Sequence, residues 1–164
     1  DVPAAPAPPG LGAAAAAVLL AGAGPDLAVW LGPSAHAAAQ AAWLRFHTGA
    51  RLAASPEAAD WLVLGAADAT PLRWAQAHPG TDEAPHTSAT VLVELPSLAE
   101  GRGLQLAGPG IADRHHLAAG GVDRAFWQAR IDATALYPRG ADLVLTCGAR
   151  LAALPRSTRI VLED

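Results

Sequence analysis

The sequence predicts an α/β domain in which helices flank a mixed, mostly parallel sheet. Three observations support this fold class. Short continuous apolar runs, which are typical of strands buried on both faces, recur along the chain. Segments with apolar residues at helical spacing alternate with those runs. Neither a repeat nor a linker divides the 164 residues, so residues 1–164 are predicted to form a single domain.

The elements follow in order from a Pro-rich, extended lead-in at residues 1–10. Apolar runs predict strands over residues 27–31, 61–65, 90–95, 103–107, 142–147 and 157–162. Apolar periodicity and flanking caps predict helices over residues 11–23, 35–46, 71–78 and 122–136. Ser34 and Thr70 are expected to cap the second and third of these helices, and Pro71 suits the first helical position. The strand at 103–107 follows the third strand closely enough to be its antiparallel partner.

Composition and charge exclude several classes of protein. The net charge is −4, from 11 arginines and 15 acidic side chains, which does not suit a nucleic-acid surface. Because the chain has no lysine, it cannot form a Schiff base with pyridoxal phosphate. A single cysteine, Cys147, excludes an internal disulfide and a multi-cysteine metal site.

The apolar run at residues 11–23 is too short to span a bilayer, which needs about 20 residues. A signal peptide needs a basic start, and no Arg precedes Arg45. We therefore expect a cytoplasmic protein without membrane or nucleic-acid partners.

Ser34 follows a predicted strand and opens a predicted helix, which is the context of a nucleophile elbow. That motif reads G-x-S-x-G, and His36 stands in place of its second Gly. An ordinary helix cap is therefore the favoured interpretation of Ser34. The alternative is a small α/β hydrolase that uses Ser34 with His115 or His116.

The histidines predict no metal site. His115 and His116 are adjacent, so a helix or strand would point them apart, and His78 and His86 flank an acidic loop. Zinc needs three or four converging ligands, and no H-x-x-x-H or H-E-x-x-H string is present. We expect solvated loop histidines, and we expect Cys147 to be a small buried hydrophobe. No pair of carboxylates suits acid–base catalysis, so the catalytic residues are unknown.

Two segments near the end of the chain predict an anion-binding site. Gly108-Pro109-Gly110 is a turn that tolerates no side chains, and residues 154–159 contain two arginines and two hydroxyl residues. Guanidinium groups and hydroxyls suit an anionic oxygen cluster such as phosphate. The candidate ligand-binding residues are Gly108, Gly110, Arg156, Ser157 and Thr158. The alternative is a structural turn that leads into the last strand, with its arginines paired to surface carboxylates.

Five strings follow one another in a recognisable order. They are Phe46-His47-Thr48-Gly49, Ala84 to Val93, Leu106-Ala107-Gly108-Pro109-Gly110-Ile111, Tyr137-Pro138-Arg139-Gly140-Ala141-Asp142-Leu143 and Leu154-Pro155-Arg156-Ser157-Thr158. The set resembles the PhnH family of the bacterial carbon–phosphorus lyase system, over about Leu11 to Leu162. That family begins with a helix carrying an Arg-Pro-Gly segment, so we expect an N-terminal part of the native domain to be missing. Ser157 replaces the first Thr of the family's Pro-Arg-Thr-Thr string and keeps the hydroxyl.

The resemblance implies a reduced form of the pyridoxal-phosphate-dependent transferase fold, without its cofactor site and with no cofactor of its own. It implies a homodimer that joins PhnG, PhnI and PhnJ in a core complex, with a phosphonate or a nucleotide as candidate ligand. That complex attaches methylphosphonate to C1 of a ribose triphosphate and displaces adenine from ATP. We expect this chain to support the transfer rather than to catalyse it alone. A purely structural scaffold protein is a further alternative.

Overall fold

The computed structural model describes residues 7–34 and 36–163, so most of the predicted lead-in lies outside the described residues. The helices are α1 (Ala13–Gly22), α2 (Ala37–Thr48), α3 (Pro71–Gln76) and α4 (Arg124–Asp132). The strands are β1 (Ala28–Leu31), β2 (Arg51–Leu52), β3 (Trp61–Gly65), β4 (Thr90–Glu94), β5 (Ser97–Ala107), β6 (His115–Gly120), β7 (Asp142–Cys147), β8 (Arg150–Leu154) and β9 (Arg159–Leu162). Short 3-10 helices lie at Pro56–Ala58, Ala66–Asp68, Pro85–Thr87 and Ala133–Leu136. None of the described helices combines the length and the apolar character needed to cross a membrane.

Within the described residues, the larger sheet has six strands in the order β2-β1-β3-β4-β7-β8. Every neighbouring pair is parallel except β7 and β8, which are antiparallel. This confirms the predicted mixed, mostly parallel sheet. The register places Trp61 opposite Val29 and Thr90, and places Asp142 opposite Thr90. The parallel strands therefore begin along one edge of the sheet, here called the amino edge, and end along the other, the carboxyl edge.

The remaining strands form a separate antiparallel sheet in the order β6-β5-β9. The predicted pairing of residues 103–107 with the strand at 90–95 is therefore wrong, because residues 103–107 belong to β5 in this small sheet. The place beside β4 is taken by β7, whose six residues are mostly apolar. Pro96 comes two residues after β4 and has no N–H to donate to a ladder, so the chain leaves the larger sheet there.

Alternate residues of the parallel strands pack against opposite layers. Val29, Val63 and Leu92 face α1 and α2, and they form a core cluster with Ala15, Leu19, Ala23, Leu44 and Ala50. Those that face α3, α4 and the small sheet join Trp74, Phe126, Trp127, Leu104 and Ile160 in a second, larger cluster. The larger sheet is therefore the middle of three layers, and each face of it buries apolar surface.

β2, β6 and β8 have no counterpart among the predicted strands. β2 has two residues, β6 begins with two histidines, and β8 consists of Arg, Leu and Ala, which suit a helix equally well. The predicted helix at 122–136 is divided, since α4 ends at Asp132 and a 3-10 helix follows. The last strand begins at Arg159 instead of residue 157, because the Thr158 N–H donates to the carbonyl of Pro155 at 2.8 Å and closes a turn.

The two predicted helix caps have different outcomes. Oγ1 of Thr70 accepts a hydrogen bond from the Arg73 N–H at 3.3 Å, which confirms Thr70 as the cap of α3. The prediction that Ser34 caps α2 is wrong, because α2 begins at Ala37 and its N-cap residue is His36. Ser34 lies two residues before that N-cap, and its Oγ accepts instead from the His36 N–H at 3.2 Å, so it does not reach the N–H groups of the first helical turn.

Candidate functional site

The two segments of the predicted anion site meet between β5 and β9. Ala107 pairs with Arg159, so the turn after β5 lies against the turn before β9. A Cβ at Gly108 would lie 3.3 Å from the carbonyl oxygen of Ser157, and φ at Gly108 is +152°. This position therefore requires glycine. Gly110 also has a positive φ, +84°, but a Cβ there would meet nothing within 4 Å.

A surface groove of about 370 Å³, the Gly108 groove, lies beside this contact. Its lining residues are Ala107, Gly108, Pro109, Thr134, Tyr137, Ser157 and Arg159. The groove thus offers the hydroxyl groups of Thr134, Tyr137 and Ser157 together with the guanidinium of Arg159. Hydroxyl and guanidinium donors of this kind can bind anionic oxygens.

Arg156 is not among the residues that line the Gly108 groove. Its guanidinium donates to Ser88 Oγ at 2.7 Å and to the carbonyl oxygens of Pro85 and Gly140. The Asp142 carboxylate accepts from the Arg156 N–H at 2.7 Å and lies 3.7 Å from the guanidinium Nη2. Arg156 therefore joins three segments, namely the loops before β4 and β7 and the turn before β9. Its role as an anion ligand stays a prediction.

Arg130 of α4 holds the same turn from the interior. Its side chain is 1% exposed. Nη2 of Arg130 donates to the carbonyl oxygens of Pro155 at 2.8 Å and Thr158 at 3.4 Å, and Nη1 donates to Thr134 Oγ1 at 3.0 Å. Burial lowers the pKa of Arg130, and the Asp142 carboxylate opposes that shift. Arg130 was not a candidate on the sequence, although it supports both ends of the Pro155–Thr158 turn.

One feature of the sequence could have identified Arg130. Phe126 and Trp127 precede it by four and three residues, so all three side chains lie on one face of α4. An arginine on an otherwise apolar helix face is either exposed at the margin or buried with carbonyl acceptors. Buried Thr158, which belongs to the predicted site, supplies one of those acceptors through its backbone.

The Gly108 groove and the contacts of Arg130 and Arg156 lie at the amino edge of the larger sheet. β4 begins at Thr90 and β7 at Asp142, while antiparallel β8 ends at Leu154 opposite Leu143. The Pro155–Thr158 turn follows β8 directly. Ligands of α/β proteins usually bind at the carboxyl ends of the strands, so the predicted anion site lies at the opposite edge from the usual one.

The carboxyl edge is covered by the segment that leads into α1. The Ala14 N–H donates to the carbonyl of Gly148 at 2.8 Å, and Nε2 of Gln40 donates to the carbonyl of Pro9 at 3.0 Å. Residues 8–14 therefore cross the ends of the strands. The cavity that remains there has a volume of about 70 Å³ and is lined by Gly10, Leu11, Gly32, Ser34, His36, Gln40, Val63, Leu64 and Gly65.

Two further residues with an ionisable side chain, Glu94 and Cys147, lie at the carboxyl edge. Glu94, the last residue of β4, accepts hydrogen bonds from Thr146 Oγ1 at 2.6 Å and from the Gly148 N–H at 3.2 Å. Cys147, the last residue of β7, carries a free thiol, is partly buried and packs against the larger core cluster. Glu94 thus binds the turn after β7, where it fastens two strand ends to each other.

His115 and His116 lie in the small sheet, away from the carboxyl edge of the larger sheet. His115 and His116 begin β6 in the small sheet, so they are exposed residues of a strand and not of a loop. Nδ1 of His116 lies 3.0 Å from Oε2 of Glu163, which also accepts from the Gly103 N–H at 3.2 Å. The bond to His116, followed by the bond from Gly103, lowers the pKa of Glu163. Among residues 7–34 and 36–163, no cluster of three or more His, Cys, Asp and Glu side chains could hold a metal ion.

Comparison with known proteins identifies the family. Residues 1–161 match the model of the family described as bacterial phosphonate metabolism protein (PhnH). The α-D-ribose 1-methylphosphonate 5-triphosphate synthase subunit PhnH of Rhizobium meliloti (strain 1021) is 34% identical over 158 residues, which is 96% of this chain and 78% of that protein. A putative C-P lyase subunit protein, HtxG, of Stutzerimonas stutzeri is 39% identical over 84 residues, which is 51% of this chain and 43% of that one. This chain therefore belongs to the PhnH family of bacterial phosphonate metabolism proteins.

Proposed function

We propose that this protein is a subunit of α-D-ribose 1-methylphosphonate 5-triphosphate synthase and supports the transfer of methylphosphonate to a ribose triphosphate. The observation that carries this proposal is the match across residues 1–161 to the PhnH family, together with 34% identity to a synthase subunit across 96% of the chain. The displaced group in this reaction is the adenine of ATP.

The placement of Ser34 and His116 does not support the alternative of a stand-alone hydrolase. In the described part of the chain, Ser34 bonds to the backbone of His36, whereas His116 pairs with Glu163 in the small sheet. A hydrolase that uses a Ser-His-acid triad needs these three side chains joined to one another by hydrogen bonds. The alternative of a hydrolase based on Ser34 with His115 or His116 therefore gains no support from the geometry.

The Gly108 groove is the part of this surface that best suits an anionic ligand, either a phosphonate or the phosphates of a nucleotide. Gly108 and Ser157 from the predicted site line it, and Arg159 supplies the cation. In this proposal Arg156 and Thr158 act indirectly, because their contacts hold the turn that carries Ser157. Titration with methylphosphonate and with ATP tests the groove. Arg159→Ala should abolish binding, and Arg45→Ala, which changes another exposed arginine, should not.

The resemblance also extends to assembly and fold. We include in the proposal a homodimer, partners of the PhnG, PhnI and PhnJ kinds, a cytoplasmic location and a reduced transferase fold that binds no pyridoxal phosphate. The absence of lysine supports the last point, since that cofactor is held in transferases through a Schiff base. Equilibrating the purified protein with pyridoxal phosphate should produce no absorbance change and no retained cofactor after gel filtration.

Co-expression tests the function as a whole. The tagged chain is produced with the other synthase subunits of the same genome, and the purified material is incubated with ATP and methylphosphonate. We expect a stoichiometric assembly that releases adenine, and we expect adenine release to stop when this chain is omitted. A full rate of adenine release without this chain would refute the proposal.

A further inference from the structure

A second cavity, the Arg102 cavity, lies between the small sheet and the start of α4 and has a volume of about 360 Å³. Leu104 pairs with Leu162 beside it, whereas Ala107 pairs with Arg159 beside the Gly108 groove. The two sites are therefore three residues apart along β5, or about 10 Å. The lining residues that could bind a ligand are Ser97, Arg102, Leu104, Arg124, Trp127 and Glu163.

A bulge in β5 brings Arg102 to the rim of this cavity. Residues 101–103 have no partner on β6, because Leu117 lies opposite both Glu100 and Leu104. Both glycines of this segment have a positive φ, +142° and +146°, which other residues rarely adopt. Bulges redirect a side chain and are frequent beside active sites. The bulge therefore allows the strand to present Arg102 to the cavity.

The guanidinium of Arg102 has donors that the chain itself does not use. Arg130 and Arg156 donate to backbone carbonyls, so their guanidinium groups have structural partners. Within residues 7–34 and 36–163, by contrast, the Arg102 guanidinium makes no hydrogen bond. Its N–H groups are therefore available to a ligand in the cavity.

The charged groups that line the cavity favour an anion. Glu163 is the acidic one, and its Oε2 accepts from the Gly103 N–H at 3.2 Å and lies 3.0 Å from Nδ1 of His116. The bonds from His116 and Gly103 and, to a smaller extent, the nearby charge of Arg102 lower the pKa of Glu163. The lining thus contains two guanidinium groups, of Arg102 and Arg124, against one carboxylate that already has hydrogen-bond donors.

The floor of the cavity is apolar. Leu104 is 3% exposed and Trp127 is 4% exposed, so both belong to the core beneath the cavity. Ser97 supplies a hydroxyl at the wall, where a Cβ at position 120 would collide with its Oγ and Gly120 leaves the necessary space. The volume lies within the range of about 300–1,000 Å³ that is typical of small-molecule sites.

We propose that the Arg102 cavity binds a small organic phosphate. Its head group lies between the guanidinium groups of Arg102 and Arg124 and accepts from the Ser97 hydroxyl, and its apolar substituent lies against Leu104 and Trp127. Guanidinium groups bind phosphate oxygens through paired N–H donors. A phosphate monoester offers three free oxygens to these three donor groups, whereas a planar carboxylate offers two. The site is a property of this chain alone and does not depend on the proposed function.

An NMR titration of the full chain distinguishes the Arg102 cavity from the Gly108 groove. Phenyl phosphate is the probe, since it combines the head group with an apolar ring. The amide signals of Gly103 and Gly120 and the indole N–H signal of Trp127 report on the cavity, and the amide signal of Gly108 reports on the groove. We expect the probe to shift the three cavity signals.

Three variants test which arginine binds the probe. Arg102→Ala should weaken the affinity measured at the cavity signals by about tenfold or more, because it removes a charge-assisted contact. Arg159→Ala, which changes the Gly108 groove, and Arg45→Ala, which changes an exposed arginine of α2, should leave that affinity unchanged. Arg102→Ala should fold normally, since its side chain is exposed and has no hydrogen bond to lose among the described residues.

Four results would overturn the inference. The first is no shift of the cavity signals at about 10 mM phenyl phosphate, which saturates most of a site with a Kd of about 1 mM. The second is an unchanged affinity in Arg102→Ala. Equal affinity for benzoate would show that the phosphate head group is not selected, and equal affinity for inorganic phosphate would show that the apolar floor binds nothing. Because the titration needs no partner subunit, it decides this inference even if the co-expression experiment refutes the proposed function.

Discussion

The two edges of the larger sheet are held together in different ways. At the amino edge, the guanidinium groups of Arg130 and Arg156 bind the Pro155–Thr158 turn and the loops around it. At the carboxyl edge, residues 8–14 cover the strand ends through backbone hydrogen bonds and the Gln40 amide. The last two strings that resemble the PhnH family, residues 137–143 and 154–158, lie at the amino edge. The difference teaches that those strings mark a loop cluster held by two arginine side chains, whereas the carboxyl edge is held by backbone hydrogen bonds together with the uncharged Gln40 amide and the Glu94 carboxylate.

The largest effect should follow from removal of the buried guanidinium at the amino edge. Arg130→Met removes the guanidinium that donates to the carbonyls of Pro155 and Thr158 and to Thr134 Oγ1. Among the described residues only the Pro155 carbonyl keeps another donor, the Thr158 N–H, so we expect the free energy of unfolding to fall by about 3 kcal/mol. Urea unfolding measures this change. Arg139→Met is the control, since the Arg139 Nε lies 3.1 Å from Asp82 in a pair whose side chains are 37% and 73% exposed, and surface pairs of this kind contribute about 0–1 kcal/mol. Equal losses in the two variants would show that Arg130 does not anchor this edge.

The next effect concerns the contact between the turns after β5 and before β9. In Gly108→Ala the new Cβ lies 3.3 Å from the Ser157 carbonyl at a φ of +152°, so we expect a loss of about 2 kcal/mol. Gly24→Ala is the matched control, because no atom of the described residues lies within 4 Å of a Cβ there. Thermal unfolding of both variants provides the comparison. A Gly108→Ala protein as stable as wild type would mean that the two turns do not need this close approach.

A smaller effect is expected at the carboxyl edge. Gln40 is 6% exposed, and Gln40→Ala removes its hydrogen bond to Pro9, for an expected loss of about 1 kcal/mol. The amides of residues 8–14 should exchange faster with solvent while those of the strands do not. Gln128→Ala, which removes an exposed bond to Asp132 on α4, should leave residues 8–14 unaffected. A loss as large as that of Arg130→Met would contradict the distinction between the two edges.

The smallest effect on stability is expected in the small sheet, away from the amino and carboxyl edges of the larger sheet. Hydrogen bonds from His116 and Gly103 lower the pKa of Glu163 in the folded protein. The stability that this carboxylate contributes is therefore present above the unfolded pKa of glutamate, about 4.3, and is lost as the pH falls through the lower folded value. Urea unfolding between neutral and acid pH should show a shallower loss of stability in Glu163→Gln than in wild type. Parallel curves for the two proteins would exclude this linkage.

The core strands could be predicted because they are buried on both faces. The apolar runs at Thr90–Glu94 and Asp142–Cys147 have no polar face that could be exposed to solvent, so each must be a strand buried on both faces. The structure places both in the larger sheet. The partner of β5 could not be predicted in the same way. Its apolar residues indicate a strand, but the neighbour is decided by competition, and β7 occupies the place beside β4. The short and polar strands β2 and β6 left too weak a pattern to be identified.

The candidate site could be predicted in part. Gly108 and Ser157 were identified from turn chemistry, and they line one groove. Arg159, which also lines it, belongs to the predicted segment 154–159 but is not among the candidate ligands, and Arg130 is not predicted because its acceptors lie 25 and 28 residues away. Arg156 is a second example of a contact that a local sequence pattern cannot predict, since its hydrogen bond to Ser88 joins residues 68 positions apart. Residue type indicates which groups can bind an anion, but not which of them are already bound within the chain.

The sequence by itself determined the buried strands of the larger sheet, the cap of α3 at Thr70, the need for glycine at position 108 and the membership of the PhnH family. These depend on local backbone preferences, on the burial of apolar runs and on an ordered set of strings. Only the tertiary structure decided which strands are neighbours, which arginine lines the Gly108 groove and which arginines hold its walls. The reason is that strand neighbours and guanidinium contacts depend on competition among groups that are distant along the chain. No local pattern encodes the outcome of that competition.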